Sequence, residues 1–102
     1  MNDPRSAIIN ATQQHLRLII LRLLEGSRGY ASNDSVLVDV IPSLGLTPTR
    51  DQVAGTLTWL DEQGLVSVEI VAGDLRVVKL TQRGVDVARG MGEHPGVKRP
   101  SP

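Results

Sequence analysis

Apolar residues recur at helical spacing over the first quarter of the chain. Ile9, Leu16, Ile20 and Leu23 follow one another at intervals of seven, four and three residues, a period near 3.6. The stretch Ser6 to Glu25 holds neither Gly nor Pro and is rich in Leu, Ile and Gln. It predicts a long first helix, stopped by Gly26. From Leu16 to Leu24 only Arg17 and Arg22 are polar. A helix that is apolar almost all round needs cover on more than one face. A second copy of the chain is the simplest source of that cover. Leu16, Ile19, Ile20 and Leu23, with Val85 further on, are therefore the expected homodimer interface.

Ser27 to Asn33 reads as a polar loop. Asn33 or Asp34 can cap a second helix that carries Val36, Leu37, Val40 and Ile41 at three- and four-residue spacing. Pro42 and Gly45 end it, and Leu46-Thr47-Pro48 is a turn. Thr49 and Gln52 have the spacing of a capping box, in which each side chain satisfies the other residue's amide. A third helix follows, from about Arg50 to Gln63, with Val53, Leu57 and Leu60 inward and Gly64 in the left-handed position after it. The pattern then switches to alternation. Leu65 to Val71 sets Val66, Val68 and Ile70 on one face and Ser67 and Glu69 on the other. Ala72-Gly73-Asp74 turns the chain, and Leu75 to Leu80 returns as the second strand of a hairpin. Thr81 caps a short last helix, Gln82 to Arg89, which turns Val85 and Ala88 inward and stops at Gly90. The expected fold is α+β, mostly helical, in the order helix, helix, helix, hairpin, helix. Residues 1–90 form its one domain. Residues 91–102, with Pro95, Pro100, Pro102, Lys98 and Arg99, are expected to be a flexible basic tail.

Composition narrows the functions open to such a fold. With 102 residues the chain is sized for a single domain. Eleven Lys and Arg balance eleven Asp and Glu, so bulk charge does not argue for nucleic acid. The distribution is uneven: residues 1–28 carry +2, residues 29–75 carry −6 with Arg50 their lone cation, and residues 76–102 carry +4. The absence of Cys excludes disulfides, thiolate zinc sites and thiol catalysis. Trp59 and Tyr30 are the only aromatic rings besides histidine, too few to stack a row of single-stranded bases. No apolar run is long enough to span a membrane, and Met1-Asn2-Asp3-Pro4-Arg5 does not open a signal peptide.

The order of elements is that of the winged helix-turn-helix. The run Leu57-Thr58-Trp59-Leu60-Asp61-Glu62-Gln63-Gly64-Leu65-Val66 resembles the end of a recognition helix entering the first wing strand of bacterial regulators. Leu80-Thr81-Gln82-Arg83-Gly84 is similar to the step from wing to last helix in those families. Over nearly its whole length the chain resembles small winged-helix proteins of Mu-like phages and prophages, often labelled ArsR-type regulators. The residues that carry this are Leu16-Arg17-Leu18-Ile19-Ile20-Leu21, Trp59 to Val66, Thr81 to Ala88, and Pro95-Gly96-Val97-Lys98-Arg99-Pro100. The resemblance implies double-stranded DNA as partner and the cytoplasm of a bacterial host as location. The metal-sensing pattern of the ArsR group is missing: there is no Cys, and His15 and His94 lie far apart.

The third helix is expected to be about 14 residues, roughly 20 Å long, which fits a major groove. Steps of 100° set Asp51, Gly55, Thr58 and Glu62 opposite its buried stripe, with Thr49, Arg50, Gln52 and Thr56 flanking its leading end. The N-terminal half of such a helix reads bases. Arg50 suits guanine, Gln52 suits adenine, and Gly55 permits close approach. The plainer alternative is that Thr49 and Gln52 only cap the helix and Arg50 is a solvated charge. Arg28, Arg76 and Lys79 are the expected phosphate contacts, helped by Lys98 and Arg99. Arg76 and Lys79 can equally be charges that protect an edge strand. Trp59 falls about 130° from the centre of the buried stripe and either packs under a neighbouring segment or anchors an interface.

No metal or cofactor is expected, since no His or carboxylate stands at ligand spacing from His15. Asp61 and Glu62 point different ways and make no acid–base pair, no nucleophile–base arrangement is visible, and no glycine-rich phosphate loop is present. The chain is not expected to be an enzyme. The expected function is a dimeric DNA-binding transcriptional regulator. The alternative is a winged-helix adaptor of a phage or prophage that binds a basic protein and no DNA.

Overall fold

Asp3 starts the first helix by accepting the backbone N–H of Arg5 on its carboxylate at 3.0 Å. Pro4 takes the first helical position, where no amide hydrogen is needed. The helix, α1, spans Pro4–Glu25 in the computed structural model, which describes residues 3–101. A turn of 3-10 helix at Arg28–Tyr30 then leads into a short strand, β1, Ala31–Asn33. The side chain of Asn33 accepts the Val36 N–H at 2.9 Å and caps α2, Asp34–Val40. Pro42 sits in a 3-10 turn, Ile41–Leu44, closed by Gly45 at φ 94°. The capping box at Thr49 and Gln52 opens α3, Arg50–Glu62. Strands β2, Val66–Ile70, and β3, Arg76–Leu80, form the hairpin, and Thr81 caps α4, Gln82–Ala88. The result is an α+β fold of four helices and one small antiparallel sheet.

The sheet has the order β1-β3-β2. Ala31 and Ser67 both pair with Lys79, on opposite sides of β3. The polar loop expected at Ser27 to Asn33 thus contains a strand. Three residues with one apolar member carry no readable alternation, and β1 exists only because β3 offers it an open edge. The same order removes one reading of Arg76 and Lys79. They stand on the central strand, so they do not guard an edge.

Ile20, Leu21, Leu24, Ile41, Val53, Leu57, Leu60, Leu65 and Val78 are fully enclosed. They join the C-terminal half of α1, the inner side of α3 and the inner face of the sheet. This corrects the expected dimer interface. Leu16, Ile20 and Val85 are buried within the protomer, while Ile19 and Leu23 are half-buried against the outside of the core. The cover that α1 needs comes from α3, α4 and the sheet of the same chain, which a helical wheel of α1 alone cannot reveal.

Two close approaches shape the remainder. α4 crosses the root of β2 at Gly84, where a Cβ would land on the Leu65 carbonyl oxygen and 2.8 Å from Leu80 Cδ2. Residues 91–101, expected as a flexible tail, instead run back as a strap. Met91 and Gly92 donate to the Asp86 carbonyl at 2.9 and 3.1 Å, and Lys98 N–H donates to the Gln14 carbonyl at 3.2 Å. Val97 is buried. Val97, main-chain hydrogen bonds and side-chain contacts from Arg17, Trp59 and Gln63 hold the segment, and its prolines narrow the conformations it would otherwise sample.

Candidate nucleic-acid interface

α3 is 13 residues long, about 20 Å at 1.5 Å per residue. Val53, Leu57 and Leu60 fasten it to the core, and Asp51, Gly55, Thr58 and Glu62 form its exposed face. The space in front of Gly55 is open, with nothing within 4 Å of a Cβ built there. At the leading end Thr49 Oγ1 accepts the Gln52 N–H at 3.1 Å, and Gln52 Oε1 accepts the Thr49 N–H at 2.8 Å. A bidentate contact to adenine needs both ends of the amide. With Oε1 engaged in the cap, Gln52 has only its Nε2 hydrogens to offer.

The predicted site residues do not all come together. Thr49, Arg50, Gln52 and Gly55 share the exposed leading end of α3. Thr56 does not: it is 3% exposed, accepts from Gln13 Nε2 at 3.0 Å and donates to the Gln52 carbonyl at 2.7 Å. It ties α3 to α1 and cannot reach a base. Arg76 and Lys79 are three residues apart on one strand, so they project from opposite faces of the sheet. Arg76 is on the face that carries Val78 toward the core neighbours, and Lys79 on the solvent face with Ser67. Arg28 lies in the turn before β1, near the Lys79 end of β3.

Arg50 and Arg76 meet across an open groove of about 580 Å³ between the leading ends of α2 and α3 and the hairpin turn. Asp34, Asp51 and Asp74 line it too, so three carboxylates face two guanidiniums. Asp34, which the sequence offers only as an alternative cap for the second helix, is 2% exposed. Its Oδ1 accepts the Arg76 N–H at 3.1 Å and its Oδ2 stands 3.7 Å from Arg76 Nη1. This carboxylate fastens the hairpin to the start of α2 and holds Arg76 partly in place.

The strap builds a second polar cluster on the other side of α3. Arg17 stacks on the Trp59 ring, its guanidinium carbon 3.7 Å from the ring centroid, and donates to the Gly96 carbonyl at 2.8 Å. Trp59 is thus half-buried under a neighbouring segment. His94 meets the ring edge-on, with centroids 5.1 Å apart. Gly96 N–H donates to His94 Nδ1 at 3.0 Å, so the ring proton is on Nε2, which donates to Gln63 Oε1 at 2.9 Å. The bond from Gly96 requires a neutral imidazole, because a protonated Nδ1 cannot accept.

Burial first, then the Arg83 and Arg17 guanidiniums, hold the His94 pKa below the usual 6.5. The folded state therefore binds this proton less readily than the unfolded chain. The strap's contribution is intact above about pH 6.5 and declines as pH falls below that value. Thermal melts from about pH 8 to about pH 5 are expected to show this loss. His94→Asn removes that part of the profile. An identical acid profile in wild type and His94→Asn would exclude the titration.

Among the described residues no three His, Asp or Glu side chains are grouped to hold a metal ion. Among the described residues no helix is long and apolar enough to cross a membrane. Over 86 residues the chain is 48% identical to gp26 of Escherichia phage Mu, an uncharacterized protein, covering 84% of this chain and 88% of the phage protein. Over 70 residues it is 39% identical to an uncharacterized protein of Haemophilus influenzae, covering 69% of this chain and 68% of the other. No family model matches the chain. No solved structure matches it either.

Proposed function

This chain belongs to the family of gp26 of Escherichia phage Mu, and we propose that it is a winged helix-turn-helix protein that binds double-stranded DNA as a dimer and regulates transcription. The observation that carries the reading is the uncovered face of α3 beside the hairpin turn. A helix about 20 Å long, seated on the core by one stripe and bare on the other, is shaped for a major groove. The element order and the strand order β1-β3-β2 support a winged helix. Arg50 is the base-reading group in this account, Gly55 lets the duplex come close, and Arg28 and Lys79 hold phosphates. Arg76 contributes less, being shared with Asp34. The protein is not an enzyme in this reading.

So few cations give modest affinity that falls steeply with salt. The test is selection from a random duplex pool, followed by anisotropy titration at about 20 to about 150 mM salt. Arg50→Ala is expected to weaken binding about tenfold. Lys79→Ala is expected to lower the salt slope by about 1. No binding at the lowest salt, or wild-type affinity in Arg50→Ala, overturns the assignment. The acidic groove favours a second reading, an adaptor for a basic protein segment. Retention of a basic peptide without any duplex binding selects it.

A further inference from the structure

We infer that the outward face of α1 pairs two-fold with the same face of a second copy, antiparallel, so that the projecting start of each α1 seats beside α2 of the other. The inference rests on the dimer in the reading above and not on its DNA contacts. Residues 3–12 are exposed throughout, and Ile8 and Ile9 are 68% and 66% exposed. Two large aliphatic side chains stand on a helix that has run past its own core.

The pattern along α1 reads the same from both ends. At 100° per residue, Ile8, Thr12, His15, Ile19 and Leu23 fall within roughly 80° of arc, opposite the buried Ile20, Leu21 and Leu24. Place a two-fold axis between Gln13 and Gln14. Ile8 then meets Ile19 of the second copy, and Thr12 meets His15. The polar pair is chemically matched. His15 Nδ1 donates to the Ala11 carbonyl at 2.8 Å, which leaves Nε2 as an acceptor for the Thr12 hydroxyl. The stripe itself carries no carboxylate and no Lys. Arg5 shares the angle of Leu23 at one edge of the stripe and Arg22 lies beyond the other edge, so these like charges sit on opposite sides of the pair.

The contact continues onto α2. A groove of about 310 Å³ lies between the end of α1 and α2, lined by Leu23, Val36, Leu37 and Val40 with Arg22 at its rim. Val36, Val40 and Leu44, four residues apart, are exposed. The same register brings the first turns of the second copy's α1 to this groove. A helix of 22 residues is about 33 Å long. A strip one helix wide hides roughly 300–400 Å² per copy. With the α2 groove filled at both ends the total reaches on the order of 1,000 Å², the lower bound of a specific interface. The partner that fits is a second copy of this chain.

Sedimentation velocity of the full chain at about 50 μM is expected to show a dimer of about 22 kDa, twice 11.0 kDa. The Ile8→Glu/Ile9→Glu variant is expected to dimerise at least about tenfold more weakly, with an unchanged thermal melt at dilutions where both proteins are monomeric, because both sites are exposed in the protomer. In this cysteine-free chain, Thr12→Cys is expected to cross-link to a dimer with a short bis-maleimide, and Glu69→Cys on the hairpin is not. A monomeric wild type, a dimer that survives the double substitution, or equal cross-linking at both sites overturns the inference. Duplex titration of the same samples separates the two proposals. A dimer of this register that ignores DNA sinks only the DNA reading, and a monomer that binds duplex sinks only this one.

Discussion

Replacing Gly84 with Ala is expected to lower the melting temperature by at least about 12 °C, from a loss of about 3 kcal/mol or more. Helix propensity alone predicts the opposite sign, a gain of about 1 kcal/mol for Gly→Ala in a helix. Packing decides against it. The new methyl would strike the Leu65 carbonyl oxygen and the Leu80 side chain. Neither backbone can retreat cheaply. The Leu65 carbonyl accepts the Thr81 N–H at 3.1 Å, and Leu65 N–H donates to the Leu60 carbonyl at 3.0 Å, so the oxygen is fixed between the end of α3 and the start of α4. Gly84 N–H is itself held by Thr81 Oγ1 at 3.0 Å. Moving α4 outward opens the contact between Val85, Ala88 and α1. A differential scanning calorimetry trace decides the matter: an unchanged or raised midpoint shows that this crossing yields.

Gly96→Ala is expected to detach the strap, at a cost of about 2 kcal/mol. A Cβ there lies 2.6 and 2.7 Å from Trp59 Cη2 and Cζ2, and 3.1 Å from Arg17 Nη1. A lone side-chain tip could rotate away, but this ring is wedged between the Arg17 guanidinium and the edge of His94. Release of the strap loses the Arg17 bond to the Gly96 carbonyl, both His94 bonds and the burial of Val97. Trp59 is the sole tryptophan, so its emission reports directly. The expected results are a red shift of that emission and faster proteolysis within 91–101. Wild-type emission and wild-type protease resistance together rule the detachment out.

These two sites were silent in the sequence, and the reason is distance along the chain. What local chemistry specifies was legible: the Thr49–Gln52 box, the Asn33 and Thr81 caps, the Val53, Leu57, Leu60 stripe and the hairpin all follow from neighbours within four residues. Contacts made across the fold were not. The burial of Thr56 depends on Gln13, 43 positions away, and Asp34 meets Arg76 across 42. β1 has no signal apart from the edge it joins. The strap carries no sequence signal because Val97 is a single apolar residue among prolines, glycines and charges. The separation of Arg76 from Lys79 is legible, since odd spacing on a strand puts them on opposite faces. Leu16, Ile20 and Val85 belong to the protomer's own core for another reason: the pattern on α1 states how much cover is needed and not which chain supplies it.

The Asp34 carboxylate has a consequence for association. By accepting from the main chain of Arg76 it joins the root of the hairpin turn to the start of α2. A tether of this kind lowers the configurational freedom that docking in the adjoining groove would freeze, and the carboxylates and guanidiniums lining that groove set the local field an approaching molecule meets.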